Sequence, residues 1–383
     1  MSLTEATDRH ARIRDESSWQ HRADGTFHKT MPTHRAEGEY RGWRALRGLA
    51  PVPHLLDRRH DGPRTTLIYQ DVFAGGRCTH LLADLITEAD AEPAHVPAVR
   101  ALINAVCDSW QHSHDRTGRL TPLHATVPAL YAARLRPGGR LDRWYGGARP
   151  CTVHTPTGSY RIDLPALLTR LRTQLPPGSR WPSMISQGDP TEPNIAGPSL
   201  CWLDLEHAGR TTIAGEAANL LAYLLILGGW LIPAYQPGTY ARTVRRRAPA
   251  DRPHLRHLHI TGGHITVDAA LRAGPGRRAA LDALLERLHG DVGRLLTARG
   301  YDAGTMSAPM PIPGLAPGPA TALAPWLALR ILGVIPLAKL SPSDRAICLA
   351  QLGRILDPSL DLTDLATTLP WRPDHAAADP SSH

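Results

Sequence analysis

Residues 186–206 read SQGDPTEPNIAGPSLCWLDLE, and the local chemistry of this stretch decides how the rest of the chain is understood. An apolar run and Gly188 lead to Asp189, in a segment where Pro190 and Pro193 forbid a regular helix. Asn194 follows five residues later. The apolar Leu200–Leu203 then reads as a short strand that delivers Asp204, with Glu206 two residues on. A loop Asp, an Asn shortly after it and a second Asp at the end of the next strand form the set that kinase-type phosphoryl transfer requires. One Asp orients the acceptor hydroxyl and receives its proton, while the Asn and the second Asp hold Mg²⁺ against nucleotide phosphates. Hard oxygen donors suit Mg²⁺, which keeps several of its waters. Asp189 and Asn194 are also natural turn formers, because both side chains can hydrogen-bond nearby backbone. The scarcity of asparagine (Asn104, Asn194 and Asn219 are the whole set) and the trailing strand-borne Asp204 favour the chemical reading.

Scarcity also marks the other half of the machinery, which should lie upstream: a strand lysine for the α/β-phosphates and a helix glutamate to hold it. All but Lys29 and Lys339 of the 43 basic residues are arginine. Residues 17–31 predict two short strands around the Ala23-Asp24-Gly25 turn, and Lys29 falls on the second of them. From Pro32 the spacing of Glu37, Glu39, Tyr40, Trp43, Leu46 and Leu49 predicts a helix that Pro51 and Pro53 end. Glu39 borders the inward face of that helix and Glu37 turns away, so Glu39 is the expected partner of Lys29. A lysine on a strand is commonly a solvated edge charge. In a chain that uses arginine almost everywhere, a compact ammonium at this place points to phosphate, for which guanidinium is no equivalent.

With these residues in hand, the chain resembles the aminoglycoside phosphotransferase / choline kinase family, over residues of about 15 to 232. The family's H-G-D-x4-N stretch, its D-x-E and an acidic residue twelve places after that Asp appear here as Gln187-Gly188-Asp189, Asn194, Asp204-Leu205-Glu206 and Glu216. Its strand Lys and helix Glu correspond to Lys29 and Glu39, and its hinge to Gln70–Phe73. Gln187 stands where His is usual, Glu216 stands where Asp is usual, and no glycine-rich loop precedes Trp19. The resemblance implies an α+β, protein-kinase-like two-lobed fold. A small β-rich N-lobe would span 1–74, and a larger, mainly helical C-lobe 75–383 with a disordered tail from about residue 371. It implies ATP and Mg²⁺ as cofactors, Asp189 as the catalytic residue, and Asn194 and Asp204 as metal ligands. Lys29, Glu39, Ser17, Gln70 and Val72 would serve the nucleotide, with Glu206 and Glu216 in support. The activity expected is transfer of the γ-phosphate to a hydroxyl of a small metabolite or antibiotic. The alternative is an inactive nucleotide- or metabolite-binding protein of the same fold.

Composition agrees with a folded protein, since 42% hydrophobic and 20% charged residues in 383 suffice for a core. Cys78, Cys107, Cys151, Cys201 and Cys348 are odd in number and widely spaced. That excludes a disulfide scaffold and a Cys-type zinc site and suits a reducing compartment. The first twenty residues hold no apolar run, so a cytoplasmic protein is expected. Ala217–Ile232 is nearly all apolar but reads as a buried helix, and 320–340 is broken by Pro325, Arg330 and Pro336, so no membrane contact is expected. Further helices are predicted at 97–114, 164–174, 214–232, 278–298 and 343–356, and strands at 65–73, 181–187, 200–204 and 255–267. Residues 307–319 read as a Pro/Gly connector.

Competing motifs carry less. Gly274-Pro-Gly276-Arg-Arg-Ala279 reads as following a helix-like segment rather than a strand, no G-K pair marks a P-loop, and no G-x-S-x-G marks a hydrolase. His254, His257, His259 and His264 are close enough for a metal site to be conceivable, but solvated or acceptor-contacting histidines fit better. Arg242 and Arg245–Arg247 form a basic run that could attract an acidic acceptor. The pI of 9.6 invites nucleic-acid binding, but no interleaved aromatic pattern accompanies it, and none is expected.

Overall fold

The structure, a computed structural model, describes residues 17–126, 134–238, 252–297, 319–357, 359, 361 and 362. The basic run at 242–247, the Pro/Gly connector up to residue 318 and the tail beyond 362 lie outside the described residues.

The N-terminal part is an antiparallel sheet with one helix. Strands β1 (Ser18–His21) and β2 (Thr26–Pro32) form the expected hairpin, α1 (Thr33–Leu46) follows, and β3 (Leu55–Asp61) and β4 (Arg64–Gln70) complete the order β1-β2-β4-β3. Lys29 pairs with Trp19 on one side and Leu67 on the other, so it stands mid-sheet. Helix α1 turns Ala36, Glu39, Trp43 and Leu46 inward at helical spacing, against Met31, Leu67 and Tyr69. It stops at Gly48, whose left-handed φ of 77° suits glycine, and Trp43 Nε1 donates to Pro53 O at 2.9 Å to fix the exit.

The connection after β4 is held by Asp71. Its Oδ2 lies 2.5 Å from His21 Nδ1, its N–H donates to Gly25 O at 2.9 Å, and its Oδ1 accepts from Phe73 N. The larger part then runs β5 (Cys78–Leu81), α2 (Leu82–Ala91), α3 (Val96–Thr117), β6 (Arg119–Pro122), α4 (Arg140–Tyr145), β7 (Cys151–Thr155), β8 (Gly158–Ile162), α5 (Leu164–Gln174) and β9 (Arg180–Ser186). It continues with β10 (Ile195–Pro198), β11 (Cys201–Trp202), β12 (Gly209–Thr212), α6 (Ile213–Ala222), a π-helical stretch Tyr223–Leu231, and α7 (Ile232–Tyr235). Last come β13 (His254–Thr261), β14 (His264–Ala270), α8 (Pro275–His289), α9 (Asp291–Thr297), α10 (Pro319–Val334) and α11 (Pro342–Ile355). Short sheets β11-β10-β5 and β12-β9-β6 lie beside the candidate site, and an outer sheet β13-β14-β7-β8 includes a parallel β14–β7 pair. This is the two-lobed α+β architecture the sequence predicts. Ile213–Tyr235 is long and apolar enough to cross a membrane, yet its most apolar 18-residue stretch is 83% buried inside the protein.

The strand content exceeds what the sequence predicts. β3 was not expected because LLDRRHD shows no apolar alternation, and the strand is largely exposed. β7 and β8 are too short for periodicity to mark them.

A close backbone contact is among those that tie the two parts together. A Cβ on Gly42 would lie 2.0 Å from Leu205 O, so α1 packs backbone to backbone on the segment after Asp204. Gly42→Ala should therefore push α1 outward despite alanine's better helix propensity, with a net loss of about 1–2 kcal/mol and weaker nucleotide binding. Urea unfolding checks this, and a variant as stable as the parent would show that the helix can give way without cost.

Candidate active site

The strand β2 presents Lys29 between two carboxylates. Its Nζ lies 2.6 Å from Glu39 Oε2 and 2.7 Å from Asp204 Oδ1, while Glu37 turns away to pair with Arg58. Burial alone would depress the Lys29 ammonium, but Asp204 and Glu39 outweigh it and hold its pKa above the usual lysine range. Burial pushes Glu39 upward, against the pull of Lys29. Tyr69 Oη donates to Glu39 Oε1 at 3.4 Å, so the glutamate is fixed from both ends.

Asn194 and Asp204 meet through strand pairing. β10 and β11 form a tight antiparallel pair with Ile195 opposite Trp202, and Leu203 N donates to Asn194 O at 2.9 Å. Asn194 precedes that pair and Asp204 follows it, so both stand at its open end. Asp204 has a left-handed φ of 52°, which Asp tolerates better than most residues. Asn194 Nδ2 donates to Asp189 O at 3.0 Å, so its Oδ1 is the oxygen a cation would take, together with Asp204. Two protein oxygens fit Mg²⁺, whose remaining places go to phosphates and waters. Among the described residues no group of three His, Cys, Asp or Glu side chains could hold a metal. His254, His257 and His259 lie exposed on β13, and His264 stacks on His154 across the outer sheet.

The loop carrying Asp189 is held from below. Gln187, fully buried, donates through Nε2 to Leu203 O at 2.8 Å and Asp204 O at 2.9 Å and accepts from Asp189 N at 2.7 Å. One amide thus makes three bonds, where a neutral histidine could make two. Gly188 has φ 87°, and a Cβ there would lie 1.9 Å from His207 O, so only glycine fits. Glu216 sits in the first turn of α6, whose start is capped by Thr212 Oγ1 accepting from Gly215 N. Its Oε2 accepts from Ser186 Oγ at 2.7 Å. Burial raises Glu216 to about 7, against the hydrogen bonds from the Ser186 hydroxyl and the Gly188 N–H, while the charge of Asp189 pushes the same way as burial.

That shift sets a stability profile. Glu216 holds its proton more tightly folded than unfolded. Its contribution is therefore whole below about 4.5 and is lost as pH rises through about 7. The loss is on the order of 3 kcal/mol for a group this buried. Glu216→Gln should remove this slope, and urea unfolding between pH 4 and pH 8 tests it. Parallel profiles for the two proteins would show that another group sets the dependence.

Sequence reasoning missed two residues that touch Asp189. Its Oδ1 accepts from Asn219 Nδ2 at 2.8 Å and pairs with Arg330 Nη2 at 3.0 Å. Both carried a signal: Asn219 belongs to a set of three asparagines, and Arg330 interrupts an apolar helix. Arg35 was also missed. It forks onto Glu206 through Nε at 3.0 Å and Nη2 at 2.6 Å and reaches Ser17 Oγ at 3.1 Å. Arg277 was rejected with its glycine motif, yet it makes a buried 2.6 Å pair with Glu192, three residues after Asp189. A Cβ on Gly228 would lie 2.3 Å from Glu192 Oε1, so the π-helical stretch makes room for that pair.

The remaining candidates for nucleotide contact stand near the hinge. Gln70 ends β4 with an exposed side chain, and Val72 O accepts from Cys78 N at 3.1 Å. Val72, Phe73 and Leu203 pack on a small apolar cluster of Cys78, Leu81, Ala196 and Cys201. Ser17 is buried, with its hydroxyl turned to Arg35.

No protein-family model matches the chain, and no curated protein matches it in sequence. Solved structures do. An aminoglycoside phosphotransferase of Streptomyces rimosus in complex with ADP and streptomycin is 16% identical over 64% of this chain and 90% of its own, with a TM-score of 0.39. An aminoglycoside phosphotransferase of Alicyclobacillus acidocaldarius is 10% identical over 96% of this chain and 95% of its own, also at 0.39. A glucosamine kinase is 13% identical over 93% of this chain and 77% of its own, again at 0.39. Identities and TM-scores this low say nothing of what this chain acts on.

Proposed function

We propose that the chain is an ATP- and Mg²⁺-dependent phosphotransferase that phosphorylates a hydroxyl of a small molecule. The observation that carries this reading is Lys29 Nζ held between Glu39 and Asp204, at 2.6 and 2.7 Å. Lys29 would bind the α- and β-phosphates with Glu39 fixing its direction, and the apolar residues under Val72 and Phe73 would receive the base. Mg²⁺, when bound, supplies charge neutralisation at the phosphates. Asp189 orients the acceptor hydroxyl and takes its proton as the hydroxyl oxygen bonds to the γ-phosphorus. The bond to the bridging oxygen breaks, and ADP leaves with that electron pair.

Incubating the chain with ATP, Mg²⁺ and a metabolite mixture, then searching by mass spectrometry for phosphate-bearing products, tests the reading. ATP binding in a thermal-shift assay without any transfer would leave a nucleotide-binding protein instead. Lys29→Arg should lower the transfer rate at least about tenfold, equivalent to ~1.4 kcal/mol, because a wide planar guanidinium cannot enter the space between two carboxylates and the phosphates. Unchanged turnover in that variant would remove Lys29 from the site.

A further inference from the structure

Helix α6 and the first residue of the π-helical stretch after it face the loop at 186–189 with a stripe of side chains. Glu216 takes the Ser186 hydroxyl, Asn219 takes the Asp189 carboxylate, and Tyr223 lies under the Arg330 guanidinium at 5.2 Å. Arg330 comes from α10, a helix whose other buried residues between Leu323 and Leu332 are apolar. Its side chain is 6% exposed. An arginine so placed costs several kcal/mol of desolvation that an apolar residue of like volume would avoid, so stability alone does not account for it. Its charge is directed at Asp189.

The atoms define what this does. Asn219 and Arg330 both meet Oδ1 of Asp189, while Gln187 holds the backbone N–H of Asp189 and Asn194 holds its backbone carbonyl. Every tie to Asp189 among the described residues falls on Oδ1 or on the backbone. We propose that Asn219 and Arg330 are positioning residues that pin Oδ1 of Asp189 and so present Oδ2 to the acceptor hydroxyl. This rests on the phosphotransferase reading and adds to it two residues outside the stretch that identifies the site. A carboxylate free to rotate would offer either oxygen at varied angles, and misplacement of about 1 Å can cost 10²-fold in rate.

The test uses the full chain with Arg330→Met, Arg330→Lys and Asn219→Ser, each alone and in an Asp189→Ala background. Single-turnover transfer from ATP is measured to the acceptor found by mass spectrometry and to water, alongside calorimetric binding of ATP-Mg²⁺. Arg330→Met and Asn219→Ser should each slow transfer at least about tenfold, with nucleotide affinity unchanged. Arg330→Lys should recover part of the loss, because an ammonium can still bond Oδ1. In the Asp189→Ala background neither change should slow the reaction further, since the group they position is gone. Full additive losses in that background, or parental rates in both single variants, overturn the proposal while leaving the kinase reading standing. A parent chain that transfers phosphate neither to water nor to any acceptor overturns the kinase reading and this one with it. Should Arg330→Met not fold, Asn219→Ser removes only one hydrogen bond, and its cycle with Asp189→Ala decides the matter alone.

Discussion

Asp204→Asn should abolish practical turnover, with transfer slowed at least about 10²-fold and Mg²⁺-dependent nucleotide binding weakened together with it. Asparagine keeps the shape and tolerates the left-handed backbone that Asp204 adopts at φ 52°, so the change isolates charge. The lost charge does two things at this place. It would give a cation at the open end of β10 and β11 an anionic oxygen beside Asn194, and it is the second anion beside Lys29. A clamp already made in the ground state is removed, so affinity and rate fall in step. Calorimetric titration of ATP with and without Mg²⁺ reads the first effect and single-turnover kinetics the second. Retained Mg²⁺-dependent affinity would place the cation elsewhere.

Asp189→Asn is expected to separate the two quantities. Transfer should slow by at least about 10²-fold, the lower range for losing a positioned acid–base group, while ATP-Mg²⁺ still binds. Asp189 makes no tie to Lys29 or Glu39, and its bonds run to Gln187, Asn194, Asn219 and Arg330. A stability cost accompanies the kinetic one. The buried Arg330 guanidinium keeps a hydrogen-bond acceptor but loses the Asp189 charge, and since Asp189 is 30% exposed the loss is discounted to about 2 kcal/mol. Weakened nucleotide binding in this variant, equal to the loss of rate, would contradict the division of labour between the two aspartates.

The parts of the site that were legible in the sequence were those that composition made rare or spacing made regular. Lys29 stood out in an arginine-rich chain, and Asp189, Asn194 and Asp204 stood at spacings that a loop and a strand explain. The structure brings Lys29, Glu39 and Asp204 within hydrogen-bond distance and sets Asn194 against Asp189. Arg330 lies 141 residues from Asp189 in sequence, and Arg35 lies 171 from Glu206. No local pattern announces a contact made by packing of distant helices. The outer sheet was read only in part. One strand was expected at 255–267, where β13 and β14 lie on either side of a turn at Gly262-Gly263, while the five-residue β7 and β8 are too short for periodicity to mark them.

Helix α1 is fastened at three places: by Gly42 on Leu205, by Arg35 on Glu206 and by Glu39 on Lys29. If the chain is the proposed phosphotransferase, a helix held in this way predicts transfer that begins without a lag on mixing. The same feature bears on inhibitor chemistry. A compound that separated this helix from its strand would have to break the Lys29–Glu39 pair, the Arg35–Glu206 pair and the Gly42 contact together.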